Sequence, residues 1–210
     1  MEIRRDKYLN DLVVRKGNGM IKVVTGIRRC GKTYLVFDLF VRHLIESGVP
    51  EDHIIALALD DRANVRYRDV DALYDYLMER IGNDQGVYYV LLDEIQYAIT
   101  VKELRSKDEP PALYGVLNGL LHRRNVDVYV TGSNSKLLST DVMTEFRGRG
   151  DEVRIHPLTF AEFTQAFDGD RQAGWAEYVM YGGLPLTLSM HTPEQKASYL
   201  TGLFEEVYLS

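Results

Sequence analysis

The chain has 210 residues, 45% of them hydrophobic, and 25 Lys and Arg stand against 31 Asp and Glu for a formal charge of −6. That balance excludes a disordered or fibrous chain and gives no general electrostatic case for nucleic acid, although a local basic patch such as Arg147, Arg149 and Arg154 could still oppose the average. The single cysteine, Cys30, excludes an internal disulfide framework and fits a reducing compartment, and no apolar run approaches the ~18 residues of a membrane span, so the reading is a cytoplasmic protein with no membrane partner.

In chain order, "MEIRRDKYLNDL" has charges with no apolar stretch behind them, and "RRDKYLNDL" within it reads as an amphipathic starter helix. Ile21 to Thr25 is the first predicted strand, followed by a glycine-bracketed loop and a helix on which Leu35, Leu39 and Phe40 share a face. Ile54 to Leu59 is the second strand and ends in Asp60 and Asp61. Val70, Leu73, Tyr74, Leu77 and Ile81 recur at helical spacing and are expected in the core. Val87 to Leu92 is the third strand. Thr100 to Pro111, charged and closed by a double proline, reads as a surface loop. Leu113, Val116, Leu117, Leu120 and Leu121 mark another helix, Val126 to Thr131 a fourth strand and Glu152 to Ile155 a fifth. None of the strands alternates cleanly with polar residues, so most are covered on both faces, as in a parallel sheet wrapped by helices. Beyond Ile155 the pattern turns helical. Thr159 with Glu162 and Thr192 with Gln195 form capping-box pairs, and "YGGLP" shapes a bend between the terminal helices. The expected layout is a core over 1–156 with its N-terminal helix, and a helical extension over 157–210.

The loop after the first strand carries chemistry. Gly26, Gly31, Lys32 and Thr33 satisfy G-x-x-x-x-G-K-[ST] between a strand and a helix. Glycines let the backbone curl so that successive N–H groups face one concavity, and the following helix end adds to its attraction for phosphate oxygens. Lys32 would neutralise phosphate charge and the Thr33 hydroxyl would ligate Mg²⁺. The nucleotide-binding stretch is read as Gly26, Ile27, Arg28, Arg29, Cys30, Gly31, Lys32, Thr33 and Tyr34. A plain strand-to-helix turn is the structural alternative.

"VYYVLLDEIQ" ends a buried strand in two carboxylates, at the sheet edge where ligands of open α/β sheets bind. Asp93 would hold Mg²⁺ through water, opposite Thr33, and Glu94 would polarise a water for attack on the γ-phosphate. The adjacent pair favours hydrolysis over phosphoryl transfer to a small molecule. After the fourth strand, "VTGSN" offers Asn134, with Ser133 as second choice, to orient that water; a Gly-Ser-Asn turn reads alike. Arg149, with Arg147 second, sits on a glycine-broken segment from which arginine can offset charge on the transferred phosphate, within one chain or across a subunit boundary. Solvated arginines paired with Glu145, Asp151 or Glu152 would look the same.

Taken in order, "TGIRRCGKT", "LLDEIQ", "VTGSNSKLLS", "EFRGRG", "PLTFAEF" and "YGGLP" make the chain resemble the bacterial and archaeal AAA-superfamily ATP-binding proteins that pair an N-terminal AAA domain with a C-terminal DUF4143 region. The similarity spans Arg5 to Pro185. It implies a P-loop NTPase fold of the AAA type within the ASCE group, an α/β three-layer sandwich around a parallel sheet of order 5-1-4-3-2 with a short helical C-terminal extension. It also implies binding of ATP and Mg²⁺ with hydrolysis, and a role near the γ-phosphate for Arg149. Proteins of this type continue well beyond "FEEVYLS", so 157–210 would be the start of a C-terminal region truncated here.

The expectation is therefore a Mg-dependent ATPase of slow turnover, coupled to conformational change in an unidentified protein or DNA client, and able to form a homo-oligomer with nucleotide. The alternative is a nucleotide-dependent binding switch that holds ATP and hardly turns it over. A small-molecule kinase would require an arginine-rich lid and an acceptor pocket, of which the sequence carries no clear sign.

Overall fold

A computed structural model describes residues 2–82, 86–105, 109–132 and 148–208. Five strands form one sheet: β1 (Ile21–Gly26), β2 (Ile54–Ala58), β3 (Tyr88–Asp93), β4 (Val126–Thr131) and β5 (Gly150–Ile155). Their order is β2-β3-β4-β1-β5 and every neighbouring pair is parallel, which is the predicted 5-1-4-3-2 read from the other edge. All five runs fall within two residues of their expected bounds. The three central strands β3, β4 and β1 are buried nearly throughout, because both of their faces are covered. The edge strands β2 and β5 instead alternate, with Ala56, Glu152 and Arg154 exposed, which corrects the expectation of no alternation for these two.

One face carries Ile21, Val23, Ile55, Leu57, Val90, Leu92, Val128 and Val130, packed with Leu73 and Leu77 of α3 (Val70–Arg80) and Leu113, Leu117 and Leu120 of α5 (Ala112–Leu120). Each such side chain contributes about 1.5–3 kcal/mol by leaving water. Tyr74, expected in that stripe, is instead 44% exposed. Leu73, Leu77 and Ile81 already fill the buried arc of α3, and a neighbour one step along turns to its flank. Leu35, Val36, Leu39 and Phe40 are also buried, on a helix that departs from the expected winding. Tyr34–Phe40 is a π-helix before the chain becomes α-helical as α2 (Val41–Glu46). The i→i+5 bonding of a π-turn is rare and is found frequently at functional sites.

Within the predicted loop from Thr100 to Pro111 lies a short helix, α4 (Val101–Arg105). Thr100 Oγ1 accepts from the Glu103 N–H at 3.2 Å, while the Thr100 N–H donates to Glu103 Oε2 at 2.7 Å. That is a capping box hidden in a segment whose charges read as loop.

The chain forms two bodies. The first comprises Lys7–Arg28 and Lys32–Ile155 and contains the sheet together with α1 (Asp6–Val13) from Lys7 onward. The second comprises Met1–Asp6, Arg29–Gly31 and His156–Ser210, so it gathers the chain's beginning, three residues of the glycine-bracketed loop and the terminal helices α6 (Phe160–Phe163), α7 (Arg171–Tyr181) and α8 (Pro193–Tyr208). Both predicted capping boxes open helices in this second body, Thr159 with Glu162 at α6 and Thr192 with Gln195 at α8. Phe160, Phe163, Trp175 and Tyr178 pack ring against ring between α6 and α7. The bend at "YGGLP" needs both glycines. Gly182 has φ 74°, and a Cβ on Gly183 would lie 2.1 Å from the Leu158 carbonyl oxygen.

Candidate functional site

The site lies at the carboxyl edge of the sheet, where β1, β4 and β3 stand side by side and end in Gly26, Thr131 and Asp93. The loop leaving β1 is curled by unusual backbone angles, φ 65° at Arg29 and φ 97° at Gly31. The second is a conformation open to glycine, and the first is a left-handed setting that costs a non-glycine residue energy and is held by its surroundings. Lys32 is 4% exposed, and its ammonium donates to the carbonyls of Gly26 at 3.1 Å and Ile27 at 3.2 Å. The cation is thus folded back over its own loop, within reach of any anion the loop amides collect. Ile27 and Arg29 are exposed while Cys30 is fully buried. Arg28 and Tyr34 are half-buried along the same stretch.

Thr33 and Asp93 meet across this edge. The Thr33 hydroxyl donates to Asp93 Oδ2 at 2.6 Å, and the Thr131 hydroxyl donates to Asp93 Oδ1. Asp93 is 2% exposed. Burial pushes its carboxyl above the usual range, the two hydroxyls pull it back, and the nearby Glu94 and Asp60 charges push it further up. A positive ion beside it would remove that penalty. The donor set of one hydroxyl and one carboxylate fits Mg²⁺, which is commonly held by one or two carboxylates together with phosphate oxygens and water. Among the described residues no cluster of three or more His, Cys, Asp or Glu could cage a metal.

Glu94, the next residue, has φ 52° and ψ 52°, a left-handed setting for a bulky side chain. Its N–H donates to Thr131 Oγ1 at 3.3 Å and its carboxylate accepts from the Gln96 side-chain amide. The turn directs Asp93 and Glu94 differently, as two carboxylates with separate tasks require. Thr131 and Gln96 did not stand out in the sequence. Thr131 looked like the last residue of a strand, and only the order β1-β4-β3 brings it between the loop and Asp93.

Asn134, Ser133 and Arg147 lie outside the described residues. Arg149 is exposed and precedes β5, its carbonyl accepting from the Ile21 N–H at 2.8 Å. That is the amino end of the sheet. Ile21 pairs with Gly150 and Gly26 with Ile155, so the length of β5, about 16 Å, separates Arg149 from the level of the loop in its own chain. The structure therefore brings together Lys32, Thr33, Asp93 and Glu94 but does not bring Arg149 to them within one chain.

Comparison with known proteins bears on the family and the fold. The family model described as "AAA domain" matches residues 18–164. An uncharacterized protein of Haemophilus influenzae is 30% identical over 213 residues, which cover 99% of this chain and 50% of that protein. The chain thus spans about half the length of the curated relatives it matches. Among solved structures, the Walker-type ATPase of Pyrococcus abyssi superposes with a TM-score of 0.58 at 17% identity, covering 89% of this chain and 65% of that one. A signal transduction ATPase with a tetratricopeptide repeat sensor from Pyrococcus horikoshii gives 0.53 at 18% identity, covering 99% of this chain and 32% of that one. These likenesses show the P-loop ATPase fold. With its family model covering well over half of its residues, the chain belongs to the AAA domain family.

Proposed function

We propose that this chain binds ATP with Mg²⁺ and hydrolyses it slowly, and that turnover changes the conformation of a protein or DNA client in the cytoplasm. The observation that carries the reading is the 2.6 Å hydrogen bond from Thr33 to Asp93 beside a loop already curled around Lys32. A plain strand-to-helix turn has no need of a buried carboxylate that accepts from the hydroxyl at the start of its helix.

In this reading the amides of Gly26 to Thr33 bind the phosphates, Lys32 exchanges its loop carbonyls for phosphate oxygens, and Thr33 and Asp93 are the residues that would hold the ion. When bound, Mg²⁺ neutralises charge on the phosphates. Glu94 takes a proton from the attacking water, and Asn134 or Ser133 aligns that water. The slow turnover follows from Gln96, whose amide must release the Glu94 carboxylate before Glu94 can act as a base. Because Arg149 is exposed at the far edge of its own sheet, it serves a neighbouring copy's phosphates, in a homo-oligomer that forms with nucleotide.

The test is Glu94→Gln. Phosphate release by the variant should fall by about 100-fold or more while ATP binding, read by titration calorimetry, stays close to that of the parent. Hydrolysis at the parent rate would remove the hydrolase assignment and leave a binding switch.

A further inference from the structure

Arg5 is buried, its side chain 1% exposed, and the guanidinium fork is spread over three partners within the second body. Nη1 donates to the Cys30 carbonyl at 2.8 Å, Nη2 to the His156 carbonyl at 2.7 Å and Nε to Glu162 Oε1 at 3.2 Å. Glu162 is in turn fixed by Thr159, whose N–H and hydroxyl both donate to Oε2. Desolvating a guanidinium is costly, and a well-packed apolar side chain would often stabilise such a place as well or better. What an apolar side chain cannot do is set the direction of a peptide plane.

The plane in question is the Cys30–Gly31 peptide, inside the glycine-bracketed loop. A trans peptide points its C=O and N–H to opposite sides. With the Cys30 oxygen held by Arg5, the Gly31 N–H faces away from Arg5. Around this peptide the loop is otherwise easily turned: Gly31 has φ 97° and no side chain, and a Cβ there would lie 3.5 Å from Arg5 Nη1 and 3.9 Å from Pro185 Cγ. Arg29, at φ 65°, leans its guanidinium over the Tyr199 ring at 5.4 Å. The three loop residues Arg29 to Gly31 are thus gripped from one side by the N-terminal segment and the terminal helices.

We infer that Arg5 is a positioning residue of the phosphate loop: by holding the Cys30 carbonyl it turns the Gly31 amide toward the anion, and its charge behind the peptide polarises that N–H into a better donor. This rests on the nucleotide reading above. It makes an N-terminal residue, outside the loop motif, part of what sets phosphate affinity. It also ties that affinity to α6 through Glu162.

Calorimetric titration with ADP, well below the melting midpoint, separates the two ideas when run on the parent chain, Lys32→Ala, Arg5→Met and Arg5→Lys. Binding by the parent and its loss in Lys32→Ala are expected. Both Arg5 variants should bind at unchanged stoichiometry with Kd raised about tenfold. Arg5→Lys keeps the charge beside Glu162 but gives up the planar fork whose separate nitrogens reach Cys30, His156 and Glu162, so it decides the matter if Arg5→Met does not fold. A fall in stoichiometry at the parent's Kd would mean that Arg5 only supports folding, and Kd within twofold of the parent would mean that it does not orient the loop; either overturns the inference with the nucleotide reading intact. If the parent fails to bind ADP, or Lys32→Ala binds equally well, the nucleotide reading falls and this inference with it.

Discussion

Thr33 and Asp93, 60 residues apart in the chain, share a 2.6 Å hydrogen bond in which the acceptor is a buried carboxylate facing no cationic side chain in that bond. Asp93 is held at a cost to the ligand-free fold, since burial and the charges of Glu94 and Asp60 all disfavour its ionised form. Replacing Asp93 by Asn keeps the shape and a partner for both hydroxyls while removing the charge. Asp93→Asn should therefore raise ligand-free stability by about 1 kcal/mol, a rise of about 2–4 °C in Tm for a chain of this size. It should also abolish the further rise expected of the parent with Mg-ATP. Thermal melts with and without Mg-ATP check both. A variant less stable than the parent without ligand would mean that Asp93 serves the fold first.

Thr131 touches both carboxylate residues, donating to Asp93 and accepting from the Glu94 N–H at 3.3 Å. It is fully buried. Thr131→Val preserves volume and removes the hydroxyl, leaving an Asp93 oxygen and a backbone N–H without that partner. A loss of about 1–3 kcal/mol is expected from denaturant unfolding. Mg²⁺-dependent ATP affinity should weaken by about 10-fold or more, as when the partners of metal ligands are removed elsewhere. Thr131→Ser, which restores the hydroxyl, should recover most of the affinity.

The parts of this structure that sequence showed and those it hid differ by range. The central strands were legible because a covered parallel sheet demands unbroken apolar runs, and the meeting of Thr33 with Asp93 was legible because a glycine-bracketed loop and an acidic strand end at one sheet edge are each written in a short stretch. Arg5 was not, because its partners lie 25, 151 and 157 residues away. Lys22 reads as a charge interrupting β1 and becomes intelligible only with Asp127, 105 residues on. The placement of Arg149 depends on the register of β5 against β1, which no local pattern encodes. The π-helical winding of Tyr34–Phe40 was hidden for another reason: its buried residues also fit an ordinary helical stripe.

Arg149 stands at the amino end of the sheet, exposed, with the phosphate loop at the carboxyl end of the neighbouring strand. If it stabilises transferred phosphate at all, that phosphate belongs to another copy. Arg149→Ala should lower kcat by about 10³-fold with ATP affinity nearly intact. Lys32→Ala should lose binding at its own loop. Mixing the two inactive variants should restore turnover, because one kind of interface in the mixed assembly pairs an intact loop with an intact arginine. Continued inactivity of a mixture shown by sedimentation to co-assemble would remove the trans assignment.

At the sheet's other end, Lys22 and Asp127 form an ion pair with side chains 0% and 3% exposed. Lys22 also donates to the Met20 carbonyl at 2.9 Å and lies 4.7 Å from the centre of the Tyr129 ring. Asp127 accepts from the Tyr129 hydroxyl at 3.1 Å and the Gly17 N–H at 3.0 Å, which pins the turn between α1 and β1. Burial holds the Lys22 ammonium below the ordinary lysine range, with Asp127 drawing it back up. Asp127→Asn removes that support and leaves a buried charge alone, so a loss of about 3–5 kcal/mol is expected at about pH 7. The pH dependence has a definite sign. With its native pKa depressed further, Lys22 binds fewer protons in the folded chain than in the unfolded one between that value and the unfolded 10.5, so stability rises with pH through the window. The deficit of Asp127→Asn relative to the parent should shrink as pH is raised toward about 9, below the range where tyrosines of the unfolded chain ionise. Urea unfolding of both chains across that range measures it. A deficit that stays constant or grows with pH would show that Lys22 is not the group left uncompensated.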